Sequence, residues 1–156
     1  MAIPRPILSL IHPLRSHAMA LLRWRTRGVK VMVFDAAGRV LLVRHGYGRS
    51  DLFMLPGGGV GRGETPHDAA IRELAEEVAC RLEQVTAVAC YESRSEGRRD
   101  TVHLFTARTA DTPMPDAREI IEARFVAPEA LPDSTSVATR RRIEEWRGER
   151  VRSTAW

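Results

Sequence analysis

The stretch Leu55-Pro56-Gly57-Gly58-Gly59-Val60-Gly61-Arg62-Gly63-Glu64, followed by the acidic run Arg72-Glu73-Leu74-Ala75-Glu76-Glu77, decides how this chain is organised. Five of the eleven glycines lie between Gly57 and Gly63. Such a concentration indicates backbone with positive φ and close approach by a bulky or charged group. We call residues 55–64 the Gly loop, and its composition is that of a binding loop.

The residues after this loop predict a helix with a well-defined start. Thr65 is a suitable N-cap, Pro66 suits the first helical position, and Asp68 completes a variant capping box. A helical wheel places the apolar residues on one stripe that we expect to face a core. The members of this stripe are His67, Ala70, Ile71, Leu74 and Val78.

Three acids of this helix, Glu73, Glu76 and Glu77, stand at positions i, i+3 and i+4 on an arc that borders the apolar stripe. One interpretation is a solvated helix face on which Arg72 pairs with Glu76. The other is a site for a hard divalent cation, which proteins usually bind through several carboxylate and carbonyl oxygens. We favour the cation site, because helices that serve only solubility usually alternate Glu with Lys or Arg.

The pattern resembles the signature of the Nudix hydrolases: Gly, five residues, Glu, seven residues, Arg-Glu, an aliphatic residue, any residue, Glu-Glu, any residue, Gly and an aliphatic residue. The matching residues here are Gly58, Glu64, Arg72-Glu73-Leu74 and Glu76-Glu77. Ala79 replaces the final Gly, and Cys80 replaces the last aliphatic residue. Because a left-handed C-cap costs Ala roughly 1 to 2 kcal/mol, we expect the helix to run slightly longer instead.

This resemblance implies the α/β/α sandwich of the Nudix fold, with a mixed sheet. It implies an enzyme that hydrolyses a pyrophosphate bond in a nucleoside diphosphate linked to another moiety, with Mg²⁺ or Mn²⁺ as cofactor. The metal would neutralise the diphosphate and lower the pKa of a bound water. The implied ligands are the carbonyl of Gly57 and the carboxylates of Glu73, Glu76, Glu77 and a late acid, for which Glu119 and Glu122 are alternatives and Glu122 is taken here.

The resemblance also implies catalytic roles for four residues of the signature. Arg72 and Glu64 look like the pair that holds Glu73 in place. The general base differs between family members, so it stays open among Glu73, Glu76 and an acid of the segment 119–122.

Three arginines outside the signature are candidates for binding the phosphates of a substrate. Arg44 ends a predicted strand, and Arg98 and Arg99 lie at the tip of a predicted hairpin. The alternative for all three is plain solvation. The neighbouring His45 is interpreted as a loop histidine, because no second His or Cys lies at metal-binding spacing.

The rest of the chain predicts an α/β or α+β domain over residues 29–156, with helices covering a sheet. A hairpin spans 29–44 around a turn at 35–38, strands at 85–92 and 101–107 flank a polar loop, and a late strand ends at Val126. A C-terminal helix over 136–150 would pack through Ile143 and Trp146, with Val137 out of register. The resemblance itself covers about Val29 to Pro132.

Residues 1–28 form a separate, acid-free and Arg-rich segment. His12, Pro13 and Arg15 interrupt its apolar run, which is too short and too broken for a signal peptide or a membrane span. We expect a helical arm that packs on the domain or on a second subunit, so a homodimer is one alternative. A transit peptide and a membrane-surface role are the others.

A net charge of +4 and a pI near 9.8 raise the question of nucleic-acid binding. The 24 basic residues are 23 Arg and one Lys, spread along the chain without interleaved aromatic residues. This pattern disfavours DNA as a partner and fits a small nucleotide derivative. Cys80 and Cys90 are too few for a disulfide framework, so we expect two buried, reduced thiols in a cytoplasmic protein.

Three other functions are weighed against this one. A catalytically silent nucleotide-binding module would lack signature carboxylates, and none is missing here. An enzyme that acts on the 5′ end of RNA would bind RNA in a salt-dependent way. An isomerase of the same fold would need a dedicated pairing of a Cys with an acid, which the chain does not offer.

Overall fold

A computed structural model describes residues 27–49, 51–95 and 98–156, without the side chains of residues 94–99. The predicted N-terminal arm lies outside the described residues, except for Arg27 and Gly28. The described residues form six strands and two helices. These are β1 (Arg27–Phe34), β2 (Val40–His45), β3 (Phe53–Met54), α1 (Pro66–Val78), β4 (Glu83–Ser95), β5 (Arg98–Arg108), β6 (Ile120–Val126) and α2 (Val137–Trp146).

The six strands form one mixed sheet, in the order β3-β2-β1-β5-β4 with β6 paired to β2. β1 runs parallel to β5 along its whole length, from Arg27 opposite Thr101 to Phe34 opposite Arg108. The remaining pairs are antiparallel. Parallel pairing of β1 and β5 requires a crossover, and the segment that carries the Gly loop and α1 lies within it.

Two hydrophobic cores lie on opposite faces of the sheet, one under each helix. The alternation of side chains along β1 explains this, since Val31 and Val33 face α1 whereas Met32 and Phe34 face the other side. The core under α1 is built from residues that include Leu41, Val43, Ala70, Leu74, Val78 and Phe105. The core on the α2 side includes Leu42, Phe53, Leu55, Tyr91, Leu104 and Ile143. The predicted α/β/α sandwich with a mixed sheet is confirmed.

The predicted hairpin between β1 and β2 is present, and its turn is closed by one aspartate. Asp35 Oδ1 accepts hydrogen bonds from the backbone N–H groups of Ala37 at 3.0 Å and Arg39 at 2.8 Å. Gly38 takes a φ of 75°, which a β-branched or bulky residue could not adopt without strain. The turn residues therefore determine where the hairpin reverses.

Helix α1 begins as predicted, but its buried face is rotated relative to the predicted stripe. Thr65 Oγ1 accepts a hydrogen bond from the backbone N–H of Asp68 at 3.1 Å. His67 and Ile71 are exposed, whereas Ala69 and Glu77 are buried with Ala70, Leu74 and Val78. The small side chains of Ala69 and Ala70 are buried on this face. Of the three acids, Glu77 is buried with them, Glu73 is half-buried and Glu76 is exposed.

The prediction that α1 runs past Ala79 is wrong. The helix ends at Val78, and Ala79 adopts the left-handed conformation with φ 55° and ψ 30°. Its backbone N–H donates to the carbonyl of Ala75 at 3.2 Å, and that of Cys80 donates to Leu74 at 3.3 Å. Two satisfied carbonyls and the burial of Cys80 offset the cost of a left-handed alanine.

The strands and helix of the C-terminal half differ in length from their predicted bounds. β4 and β5 continue through the predicted polar loop, and their register reaches Ser95 opposite Arg98. Helix α2 ends at Trp146 and not at Arg150, and Gly148 follows with a φ of 77°. Ile143 is buried as predicted, and Val137 is exposed.

Three further expectations concern single side chains. Trp146 is partly exposed but stacks on Phe34, with ring centroids 4.5 Å apart. Cys80 is buried as predicted, whereas Cys90 is exposed, because it lies on the outward face of the edge strand β4. His45 is the last residue of β2 and is buried, so its interpretation as a loop histidine is wrong.

Among residues 27–49, 51–95 and 98–156, no helix is both long and apolar enough to cross a membrane.

Candidate functional site

β1 pairs with β2 only near Phe34, at its end. The Gly loop lies along the start of β1, on the same edge of the strand. The backbone N–H groups of Val29 and Val31 donate to the carbonyls of Gly58 at 2.9 Å and Pro56 at 3.0 Å. Gly57 has a φ of 134°, and a Cβ at this position would collide with the carbonyl oxygen of Val29. Only glycine therefore permits this contact between loop and strand.

Arg72 connects the Gly loop to helix α1, called the acidic helix because it carries Glu73, Glu76 and Glu77. Its Nε and Nη2 donate to the two carboxylate oxygens of Glu64 at 2.8 and 3.0 Å, a bidentate pair. Its Nη1 donates to Glu73 Oε1 at 2.8 Å and to Glu76 Oε2 at 3.3 Å. Nη2 also donates to the carbonyl of Gly59 at 2.9 Å. One guanidinium thus fixes the loop and two of the three helix acids.

Glu73 lies directly against the Gly loop. A Cβ on Gly58 would be 2.6 Å from both carboxylate oxygens of Glu73, so any larger residue there would displace this carboxylate. The Glu73 side chain is 14% exposed. Burial raises its pKa, the bond to Arg72 lowers it, and the negative charges of Glu76 and Glu119 raise it further, with a net shift upward. The structure therefore holds a partly desolvated carboxylate beside the loop.

Glu77 is the most deeply buried acid of the helix, at 4% exposure. Its Oε2 accepts a hydrogen bond from the backbone N–H of Gly57 at 3.1 Å. Burial raises its pKa to about 7, against the opposing effects of the Lys30 charge and the Gly57 hydrogen bond. A carboxylate in this position lacks full compensation by positive charge.

Lys30, which the sequence analysis did not single out, lies beneath the same loop. Its ammonium donates to the carbonyls of Leu55 at 3.0 Å and Gly57 at 3.3 Å. Burial lowers its pKa, while the carboxylates of Glu77 and Glu73 raise it, with a net shift downward. One signal was available in the sequence, because this is the single lysine among 24 basic residues.

The two late acids occupy different environments. Glu122 lies in β6 opposite Arg44, and Arg44 Nε and Nη2 donate to its Oε2 at 3.1 and 2.8 Å. Glu119 precedes β6, and its negative charge raises the pKa values of Glu73 and Glu77. Of the two acids, Glu119 is the one that acts electrostatically on the acidic helix.

Of the three arginines predicted to bind phosphate, the structure describes the side chain of Arg44 alone. Arg44 is engaged with Glu122, and its guanidinium also lies 5.9 Å from the centroid of the Phe53 ring. Arg98 and Arg99 belong to the start of β5, but their side chains lie outside the described residues. His45, close to Arg44 in the chain, has an unpartnered Nδ1, and burial lowers its pKa to about 4.

Within the described part of the chain, no three His, Cys, Asp or Glu side chains group closely enough to hold a metal ion. Arg72 directs Glu73 and Glu76, and Gly57 N–H directs Glu77. The predicted metal-binding carboxylates are thus neighbours that do not converge in this arrangement. The carboxylate oxygens, together with the raised pKa values of Glu73 and Glu77, nevertheless fit a hard divalent cation, which would add the missing positive charge.

A cavity of about 280 Å³ opens beside the Gly loop, on the β1 and β5 side. Its volume is at the lower end of small-ligand sites. Its lining includes Gly57, Gly58, Gly59, Lys30, Asp100 and Trp156. The ring of Trp156 is supported by an edge contact with Tyr91, with centroids 5.6 Å apart.

The family model of the NUDIX domain matches residues 24–147. An RNA pyrophosphohydrolase of Novosphingobium aromaticivorans is 33% identical over 129 residues, which covers 67% of this chain and 79% of that protein. A Bacillus subtilis (strain 168) protein whose name includes 8-oxo-dGTP diphosphatase is 33% identical over 110 residues, which covers 69% of this chain and 70% of that protein.

Two solved structures share the fold. A MutT NUDIX hydrolase from Burkholderia pseudomallei superposes with a TM-score of 0.70 at 23% identity, covering 77% of this chain and 96% of that one. A MutT protein from Methanosarcina mazei Go1 gives 0.69 at 18% identity, covering 85% and 99%. At these identities the two structures bear on the fold alone.

Proposed function

Because this chain belongs to the NUDIX family and is a hydrolase of phosphorus-containing anhydrides, we propose that it cleaves the pyrophosphate bond of a nucleoside diphosphate derivative with the aid of a divalent cation. The observation that most supports this is the network around Arg72. It joins Glu64, Glu73 and Glu76 to the carbonyl of Gly59, so that loop and helix form one rigid anionic site.

The residues proposed to hold the cation are the carbonyl of Gly57 and the carboxylates of Glu73, Glu76 and Glu77. When bound, the cation would neutralise the diphosphate and lower the pKa of a water. Mg²⁺ is usually held by a few carboxylates together with substrate phosphates, so a site whose acids do not converge beforehand is compatible with it.

Within the proposed mechanism, Arg72 orients Glu73, because its bidentate bond to Glu64 fixes the guanidinium plane. Glu76 is a suitable general base, since its side chain is 46% exposed and contacts Arg72 at 3.3 Å, a weaker hold than that on Glu73. Glu73 and an acid of the segment 119–122 are the other candidates. Of that segment we propose Glu119, because Glu122 is paired with Arg44.

We place the nucleoside part of the substrate in the cavity beside the Gly loop. The cavity is contiguous with Gly57, Gly58 and Gly59, so a nucleoside bound there would direct its diphosphate toward the acidic helix. Trp156 lies at the cavity wall, and its aromatic ring is the group that we propose to stack with the base.

A second candidate substrate is the 5′ end of RNA. The 33% identity to a protein named RNA pyrophosphohydrolase favours it. Contacts of several arginines with RNA phosphates would make the affinity fall steeply with salt. A free nucleotide derivative would show a much smaller salt dependence.

The test is a substrate screen with the purified 156-residue chain. Nucleotide sugars, dinucleotide polyphosphates, modified dNTPs and 5′-triphosphorylated RNA are incubated with Mg²⁺, and phosphate release is measured after phosphatase treatment. We expect turnover of at least one class and its loss in EDTA. Turnover of RNA alone, with an affinity that falls steeply between 50 and 200 mM salt, would establish the second candidate. Full turnover in EDTA would contradict the proposed use of a cation.

A further inference from the structure

Lys30 is the single lysine of a chain that otherwise uses arginine for every basic position. It lies in β1, directly beneath the Gly loop, and is partly buried. The signature of the family does not include this position. The Lys30 side chain nevertheless brings a positive charge to the point where the Gly loop and the acidic helix meet.

Two carbonyls of the loop accept hydrogen bonds from the Lys30 ammonium, at 3.0 Å from Leu55 and 3.3 Å from Gly57. The same Gly57 donates its N–H to Glu77 Oε2 at 3.1 Å. The carbonyl and the N–H of one glycine therefore connect the ammonium to the buried carboxylate. Lys30 also lies within electrostatic reach of the Glu77 and Glu73 carboxylates.

We infer that Lys30 is the internal counter-cation of the acidic site, which holds the Gly57 carbonyl and balances Glu77 and Glu73 until a divalent cation competes with it for that carbonyl. This inference rests on the proposed use of a divalent cation. Lys30 acts through Gly57 and the acids, so it is a positioning residue.

The choice of lysine fits this role. An ammonium is a compact point charge with three donors, and it can approach two carbonyl oxygens from below a tight loop. A guanidinium spreads the same charge over a planar fork of five donors, so it keeps the charge but meets two carbonyl oxygens less compactly. The same positive charge opposes a second cation at the Gly57 carbonyl, because like charges a few ångströms apart repel strongly at a partly buried site.

The first test observes Lys30 itself in the wild-type protein. Selective labelling with [¹³Cε]lysine gives one side-chain signal, because the chain has one lysine. We expect this signal to move during titration with Mg²⁺, with the same midpoint as the binding curve. A lysine signal that stays in place while Mg²⁺ binds would overturn the inference.

The second test measures Mn²⁺ affinity by electron paramagnetic resonance, without substrate. Lys30→Met should bind Mn²⁺ at least tenfold more tightly than wild type, because the competing charge is gone. It should also unfold at a lower temperature in EDTA. Lys30→Arg keeps the charge and should stay within about threefold of the wild-type affinity. Arg62→Met, which removes an exposed charge from the same loop, should stay within about twofold.

Unchanged or weaker Mn²⁺ binding by Lys30→Met would overturn the inference, since it would reduce Lys30 to a support for the loop. If Lys30→Met does not fold, the wild-type titration still decides the question. A wild-type protein that binds neither Mn²⁺ nor Mg²⁺ would instead contradict the proposed function, so the two failures are distinguishable.

Discussion

Arg72 has the largest set of polar contacts around the acidic helix. It contacts Glu64, Glu73 and Glu76 and the carbonyl of Gly59, and its side chain remains about one-third exposed. Bonds to Glu64 and Glu73 and the charges of both carboxylates raise the pKa of the guanidinium, which is therefore always charged. A residue that orients several acids at once is a point at which small changes should disturb the whole site.

The first prediction concerns the acids that Arg72 and Gly57 direct. Glu73→Gln and Glu77→Gln each remove one negative charge while keeping the size and the accepting oxygen of the side chain. We expect each to lower the metal-dependent kcat by roughly 10²- to 10⁴-fold, the range typical for loss of a group that acts in the transition state. Steady-state kinetics on the substrate identified by the screen provide the measurement.

Glu83→Gln is the matched control, because Glu83 is exposed at the start of β4, away from the loop. Its kcat should equal that of wild type, and circular dichroism should show that all three variants are folded. Full activity in both Glu73→Gln and Glu77→Gln would show that the chemistry takes place elsewhere.

The second prediction follows from the buried carboxyl of Glu77. Its pKa in the folded protein is about 7, above its ordinary value of 4.5, so the folded state binds this proton more tightly than the unfolded state does. The resulting stabilisation is complete below pH 4.5 and is lost as the pH rises through 7. From pH 5 to pH 8 in EDTA, wild type should therefore lose up to about 3 kcal/mol of unfolding free energy relative to Glu77→Gln.

Urea unfolding of both proteins at several pH values measures this difference, and the comparison cancels the titration of all other groups. Addition of Mg²⁺ at pH 8 should recover stability in wild type more than in Glu77→Gln. Parallel pH profiles for the two proteins in EDTA would mean that Glu77 keeps an ordinary pKa.

The two ends of helix α1 are determined by different kinds of interaction. Its start is determined locally, since Thr65 and Asp68 exchange hydrogen bonds within one turn. Its end is not, since Ala79 takes a left-handed conformation that its own preferences oppose. Burial of Cys80 and the hydrogen bonds of the Ala79 and Cys80 N–H groups hold that end in place.

The third prediction tests this helix end. Ala79→Gly removes the cost of a Cβ in the left-handed region, so the protein should become more stable by about 1 kcal/mol. The control is Ala75→Gly, one turn earlier at an exposed helix position, which should destabilise by about 1 kcal/mol. Thermal unfolding followed by circular dichroism measures both. Destabilisation by Ala79→Gly would show that the left-handed conformation carries no strain here.

Strand β6 and the residues just before it separate the two late acids. Glu119 lies before the strand and acts on Glu73 and Glu77, whereas Glu122 faces Arg44 within it. The fourth prediction is that Glu119→Gln lowers kcat at least tenfold more than Glu122→Gln does. The two variants serve as controls for each other in the same assay. A larger loss of kcat in Glu122→Gln would assign the late acidic role to Glu122, as the sequence interpretation had it.

At the scale of the described domain, the C-terminal residues 154–156 pack against strand β4 and helix α2. The backbone N–H of Trp156 donates to the carbonyl of Glu92 at 3.0 Å, and that of Glu92 donates to Thr154 at 2.9 Å. Buried Arg142 donates to the carbonyl of Ala155 at 2.9 Å, and its guanidinium lies 4.1 Å from the centroid of the Tyr91 ring. These contacts place Trp156 at the cavity beside the Gly loop.

The fifth prediction concerns the N-terminal segment. The sequence predicts that residues 1–28 form a separate arm, and the NUDIX match begins at residue 24, near the end of that arm. Deletion of residues 1–24 should therefore keep kcat within about twofold and change the oligomeric state or the solubility. Light scattering and the substrate assay measure the two effects. A deletion variant that is folded but inactive would instead place the arm at the substrate site.

The sequence by itself determined those features that depend on neighbouring residues. The signature from Gly58 to Glu77, the cap at Thr65 and the turn at Asp35 could all be read locally, because hydrogen bonds over a few residues and the helical period define them. The family and the α/β/α sandwich followed from that pattern and are confirmed.

Only the tertiary structure decided which side chains become neighbours across distant segments. Lys30 meets the Gly loop, Glu122 pairs with Arg44, and Ala79 ends the helix because strands and loops far apart in the chain pack together. The rotation of α1 that buries Glu77 also depends on contact with the sheet. Burial and long-range pairing arise from the whole fold, and a periodic pattern within one helix or strand does not contain them.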